Sequence, residues 1–372
     1  MAVPSFDAAT TMPSEENDEP AAAGGGKNMV HNKQGIDMLH GRIWTKVLRF
    51  ALPVAATGIL EQLFNASGIM IVGNFSQSGG TAAVAAVGSN APVTGLILNL
   101  FIGIALGANV VIANAIGRGS REAVRNAVHT SIVTALIGGV IVAIIGELLA
   151  GPLLGMLNVT ADVFPLALAY LRIYLIGMPV ILLYNFETAI FRSIGDTQAP
   201  LAVLAISGVL NVTMGLIFVV LFHWGVSGVA TATVIANVVS SMILLYRLVH
   251  TDAAIHVDLR EFGIDWFTLR QILRIGLPAG VQSAVFAVAN IIIQAAINSL
   301  GTVVMAASSA AFNIEIIAYY VLNSFSQACA TFTGQKLWSQ TDRTLQARAW
   351  HLHSGGFHRH RGHHRRRAVL RP

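Results

Sequence analysis

Long apolar runs, separated by short polar stretches, dominate the chain from about residue 43 to residue 340. A run of roughly 20 apolar residues is long enough to cross the hydrocarbon core of a bilayer as a helix. Eight such helices are predicted, over about residues 50–72, 92–116, 127–149, 163–191, 199–222, 225–246, 275–298 and 311–333. Pro53, Pro92, Pro165, Pro200 and Pro278 stand near predicted helix starts, where a missing N–H costs little. Pro179 falls inside the fourth span and predicts a kink there. The fold class is therefore an all-α membrane protein, a polytopic helical bundle.

The loops set an orientation. Basic residues collect in cytoplasmic loops. Lys33, Arg42, Lys46 and Arg49 precede the first span, and residues 73–91 after it hold no charge. Arg118, Arg121 and Arg125 follow the second span, and only Asp162 follows the third. Arg192 follows the fourth span and only His223 the fifth. Arg247, Arg260, Arg270 and Arg274 lie around the sixth-to-seventh connection, no charge follows the seventh span, and Lys336 follows the eighth. This alternation predicts a multi-pass protein of the cell (inner or plasma) membrane with a cytoplasmic N-terminus.

The pattern also repeats. Leu48-Arg49-Phe50-Ala51-Leu52-Pro53 matches Leu273-Arg274-Ile275-Gly276-Leu277-Pro278, and at the same offset Asn65 falls on Asn290. The seventh span thus repeats the first with the same direction, as in bundles related by an axis along the membrane normal. The predicted organisation is a disordered cytoplasmic extension over 1–42, a first lobe of six helices over 43–250, the start of a second lobe over 251–340, and a tail over 341–372.

Composition supports this and marks the ends. Hydrophobic residues make up 54% of the 372 residues and charged ones 11%, against about 25% charged in soluble domains. The first 40 residues lack an apolar h-region, so they are not read as a secretory signal. The tail carries His351, His353, His358, His360, His363 and His364 among arginines, unlike anything upstream. It reads as a foreign reading frame in preference to a metal-binding or anionic-lipid-binding tail. The one cysteine, Cys329, reads as a packing residue in an apolar helix.

Charged and polar residues inside spans are costly and point to function. Glu61 and Asn65 share a face of the first span. The eighth span carries Glu315, Tyr319, Asn323 and Gln327 at four-residue spacing, and the seventh carries Gln282, Asn290, Gln294 and Asn298. Two such stripes on adjacent helices predict a cavity wall that attracts a cation, and Phe64, Phe286, Phe312 and Tyr319 are candidates to stack on flat ones. Glu187 is expected to be neutralised by Arg192, and Glu147 to reach the surface. Arg172 needs a partner the sequence does not identify, and His129 and His250 are expected to be solvated. No phosphate loop, CxxC pair or nucleophile elbow is present, so no enzyme activity, cofactor, metal site or nucleic-acid partner is expected.

Two stretches carry a family resemblance. One runs from Val47–Pro53 through Glu61-Gln62-Leu63-Phe64-Asn65 to Ile116-Gly117-Arg118-Gly119. The other is the turn Phe191-Arg192-Ser193-Ile194-Gly195-Asp196-Thr197-Gln198-Ala199-Pro200. In it Gly195 suits a sharp turn, Asp196 a helix cap and Pro200 a first helical turn. With the repeat, these stretches resemble the multidrug and toxic compound extrusion (MATE) family over about residues 43–340. The resemblance implies two pseudo-symmetric lobes of six helices each, of which eight helices are present here. It further implies a monomer among membrane lipids that exports cationic, often aromatic, small-molecule drugs in exchange for Na⁺ or H⁺. Many members carry an acidic residue seven positions after Glu61, where Gly68 stands here. The alternatives are a flippase for a lipid-linked precursor and an inactive fragment of a disrupted transporter gene.

Overall fold

The computed structural model describes residue 36 and residues 43–76, 79–157, 159–258, 263–298 and 302–338. The expected N-terminal extension, apart from Ile36, and the tail over 341–372 lie outside the described residues. Every element described is helical: α1 (Ile43–Phe75), α2 (Gly80–Gly117), α3 (Arg121–Met156), α4 (Phe164–Ile176), α5 (Met178–Ser193), α6 (Gln198–Leu216), α7 (Gly225–Val249), α8 (Trp266–Asn298) and α9 (Thr302–Trp338). A π-helical turn, Ile217–Leu221, extends α6.

Among the described residues, six helices are long and apolar enough to cross a membrane, or seven if α4 and α5 form one span. Those two meet at a 53° bend. Pro179 sits in the first turn of α5, where its missing N–H breaks the ladder between them. Gly139 of α3 approaches the backbone of Met178 and Pro179 so closely that a Cβ there would collide. Pro165 stands in the first turn of α4. Pro92, expected near a helix start, instead lies well inside α2. The stretch from Gly80 to Ala91 is rich in alanine, and alanine extends a helix without needing a long apolar run. Pro53 and Pro278 also lie inside α1 and α8.

Two buried clusters sit at opposite ends of the bundle. One joins Ile104–Ala115 of α2, the start of α3, most of α5 and the end of α7 to Ile255, Val257 and Ile272. This is the linker end, because the α7–α8 connection folds into it. The other joins Ile71, Val72, Ala83, Ala86, Leu154, Leu171, Leu175 and Val226 at the opposite end.

His129 of α3 pins the linker. Its Nδ1 lies 2.9 Å from the Arg125 carbonyl, and its Nε2 accepts from the Asp258 amide at 3.1 Å. It is 4% exposed, which corrects the expectation of a solvated histidine: the linker covers it. The Asp265 amide also donates to Thr130 Oγ1 at 3.0 Å. Arg172 of α4 finds Glu147 of α3 at 3.5 Å. Glu147 is the partner that the sequence did not identify for Arg172, because the α3–α4 turn folds the two helices side by side.

Candidate functional site

α2 packs against both α8 and α9. Its second half lies against the first half of α8, running the other way. Gly103 meets Ala279 and Gly280, and Gly107 meets Ile272 and Gly276. Reciprocally, Gly276 meets Gly103 and Ile104, and Gly280 meets Leu100. A Cβ at any of these four glycines would run into partner backbone. Small residues spaced four apart let two helix backbones touch in this way.

α9 runs beside the end of α2 in the same direction. Gly117 meets the Gln335 backbone, and Gly334 faces Asn114 and Ala113. Thr331 Oγ1 donates to Asn109 Oδ1 at 3.1 Å. Gln335 Nε2 donates to the Ser193 carbonyl at 2.6 Å, and Arg192 Nη1 donates to Gln327 Oε1 at 2.8 Å. Phe332 packs edge-on against Phe50 of α1, with centroids 6.1 Å apart. The linker end is thus closed by glycine contacts and by side chains of α5, α2 and α9.

Above this closure lies a polar cluster. Glu61 of α1 is within electrostatic range of Arg192, Tyr174 of α4, Tyr184 of α5 and Tyr320 of α9. The Tyr320 ring rests on Gly58, one turn before Glu61. Phe64, one turn after Glu61, rests on Gly208 of α6. Glu61 is nevertheless solvent-exposed. Charged and phenolic groups from three other helices thus come within electrostatic range of one exposed carboxylate.

The other sequence-derived candidates lie further from the closure. Asn65, Gln282, Asn290, Glu315 and Tyr319 are exposed, and Asn323 is half-buried. Gln294 lies on α8 with its side chain outside the described residues, as does that of Phe312 on α9. α8 packs chiefly on α2, and α9 on α1 and α2, so the two polar stripes do not form one packed seam. The reason is helical geometry. With 100° per residue, a four-residue spacing drifts about 40° per step. The α9 ladder continues through Gln327, Thr331 and Gln335, and by then it has turned onto α2 and α5, while its early rungs face elsewhere. Those last two rungs, with Tyr174, Tyr184, Tyr320 and Asn109, were missed from sequence, although the unbroken spacing of Thr331 and Gln335 was there to find.

At the turn after α5, Gly195 has a φ of +84° and the Ala199 amide donates to Asp196 Oδ1 at 3.0 Å. Burial raises the Asp196 carboxyl, while the Ala199 amide and Arg247 act against that rise. Asp196, Arg247, Tyr246 and His250 line a cleft of about 530 Å³ on the flank of the linker end. That cleft is separate from the Glu61 cluster, which carries the carboxylate open to solvent. Glu187, expected to pair with Arg192, does not: Arg192 turns to Gln327, and neither Glu187 oxygen has a hydrogen-bond partner. Five residues along a helix place two side chains about 140° apart.

The family model described as MatE matches residues 53–217. The probable multidrug resistance protein YpnP of Bacillus subtilis is 24% identical over 305 residues, covering 81% of this chain and 66% of that protein. Over residues 53–217 this chain matches the MATE family. The probable multidrug resistance protein NorM of Thermotoga maritima is 26% identical over 305 residues, covering 78% of this chain and 62% of that protein. The chain spans somewhat less than two thirds of the length of these relatives. A solved structure described as the outward-facing conformation of a multidrug resistance MATE family transporter matches with a TM-score of 0.76 and 25% identity. The match covers 85% of this chain and 70% of that one.

Proposed function

We propose that this chain performs secondary active multidrug efflux, exporting cationic and aromatic small molecules by antiport with Na⁺ or H⁺ through alternating access. The observation that carries the reading is Glu61: an exposed carboxylate on a candidate span, within electrostatic range of three tyrosines. A carboxylate in such a site attracts a cation, and aromatic faces complement flat cationic ligands. The names of the relatives support the substrate class. With a cytoplasmic N-terminus in the plasma (inner) membrane, the closed linker end faces the cytoplasm and the Glu61 cluster lies on the outward side of it.

A flippase for lipid-linked phosphates would need a strongly basic wall. The cluster offers one guanidinium, already bonded to Gln327 and beside Glu61, so the cation reading is preferred. The test is vesicle transport of ethidium or a fluoroquinolone under imposed Na⁺ or H⁺ gradients. Gradient-driven accumulation that falls at least tenfold in Glu61→Gln is expected. No drug movement under either gradient would sink the proposal.

A further inference from the structure

Glu187 is 0% exposed, and both of its carboxyl oxygens lack a hydrogen-bond partner. It lies on α5, which packs on α2, α3 and α7. From α7 the hydroxyl of Ser241 faces the carboxyl. On α5 itself Tyr184 is within electrostatic range, and the Thr188 hydroxyl faces that of Tyr184. The Tyr184 and Thr188 oxygens also have no hydrogen-bond partner. On α5 Arg192 bonds to Gln327, and on α3 His129 bonds to the Arg125 and Asp258 backbone.

A bare carboxylate in such surroundings costs several kcal/mol, and a group so placed neutralises instead. A metal cation would need a shell of oxygens. Here helix carbonyls are engaged in their own ladders, and neither carboxyl oxygen has a hydrogen-bond partner among the described residues. A proton needs one oxygen. Its O–H can then donate to a hydroxyl, and the cluster holds three.

We infer that Glu187 is a proton-binding carboxyl, and that the antiport cycle loads and unloads one proton there. The closed arrangement of α5 and α7 holds it as the undissociated acid. When those helices part and water enters, the O–H bond breaks, water takes the proton, and the hydrated carboxylate remains. The exchange step rests on the antiport reading above; the occupancy of the site does not.

The first test is infrared spectroscopy of the full chain in lipid vesicles at neutral pH. The C=O stretch of an undissociated carboxyl, shifted by exchange into D₂O, is expected in the wild type and absent in Glu187→Gln. Gln has nearly the same shape and can still meet Ser241, so folding is retained. Ser241→Ala should keep the band and move its frequency. Identical spectra for wild type and Glu187→Gln would overturn the inference, and so would loss of the band on adding Na⁺ at constant pH. The second test is transport. Glu187→Gln should lose at least tenfold in proton-driven uptake yet keep gradient-free substrate exchange, whereas unchanged proton-driven uptake would overturn the exchange step. If the wild type moves no drug but the band behaves as expected, the efflux reading fails and the proton site stands.

Discussion

The two ends of the α2–α8–α9 assembly are built from opposite materials. At the linker end, glycines bring backbones into contact, and the polar side chains Arg192, Gln327, Thr331, Asn109 and Gln335 are each spent on one another or on a backbone carbonyl. Toward the other end, α8 from Val281 and α9 before Asn323 leave apolar and polar side chains alike exposed, among them Phe286 at 63% and Tyr319 at 55%. Closeness needs small residues and paired polar groups. Accessibility needs polar groups left unpaired. One end is therefore a closure, and the other holds the residues a ligand can reach.

The largest effect should come from filling a glycine contact. A Cβ at Gly276 would collide with the backbone of Gly103 and Ile104, whereas one at Gly88, toward the other end of α2, meets open space. Gly276→Ala should cost about 3 kcal/mol, because overpacking in a tight site is paid in backbone shifts. Gly88→Ala should gain about 0.5–1 kcal/mol from the lower entropy of alanine in a helix. Thermal unfolding in detergent, with spin-label distances between α2 and α8, reads both. Equal effects at the two sites would abolish the distinction between the ends.

The next effect concerns the Arg192–Gln327 bond. Arg192→Ala should cost about 1–2 kcal/mol, the range for charge-assisted bonds moderated by a membrane reference state. A double-mutant cycle with Gln327→Ala should show coupling of about 1 kcal/mol. Zero coupling would mean that the glycines alone hold the end shut.

Some of this comparison could be read before the structure. Mid-span Pro179 announced the break between α4 and α5, since a proline inside a span has few other outcomes. The glycine junction was harder. Gly103, Gly107, Gly276 and Gly280 form two four-residue spacings on apolar helices, but nothing in one sequence pairs them. Pairings across 150 residues or more, such as Gly103 with Gly280, are properties of the packed bundle. Glu187 was misread for a nearer reason. Sequence proximity to Arg192 suggested a pair, while helical geometry turns the two apart. His129 was misread because the residues that cover it come from a linker 129 positions on.

A smaller effect should follow from unpinning that linker. His129→Ala removes the bond to the Asp258 amide, at a cost of about 1–2 kcal/mol. Limited proteolysis between residues 250 and 265 should speed up while the α2–α8 distance holds. A change in that distance would show that the linker, and not the glycine contact, positions α8.

The smallest effect concerns how α8 starts. Asp265 caps the helix: its carboxylate accepts from the Phe267 and Thr268 amides, each at 3.2 Å, and from the Thr268 hydroxyl. Asp265→Ala should cost about 1 kcal/mol, as loss of a cap does. The Thr268 hydroxyl and the two amides hold this carboxyl below its usual value. The stabilisation is then fully present above the unfolded-state value of about 3.9 and is lost as pH falls through the lower folded-state value. Asn caps comparably without titrating, so Asp265→Asn should lack this acid-dependent loss. Unfolding of the wild type and both variants between neutral and acid pH measures it. If wild type and Asp265→Asn respond alike to acid, Asp265 adds no charge-dependent hold on α8, and the junction with α2 depends on packing alone.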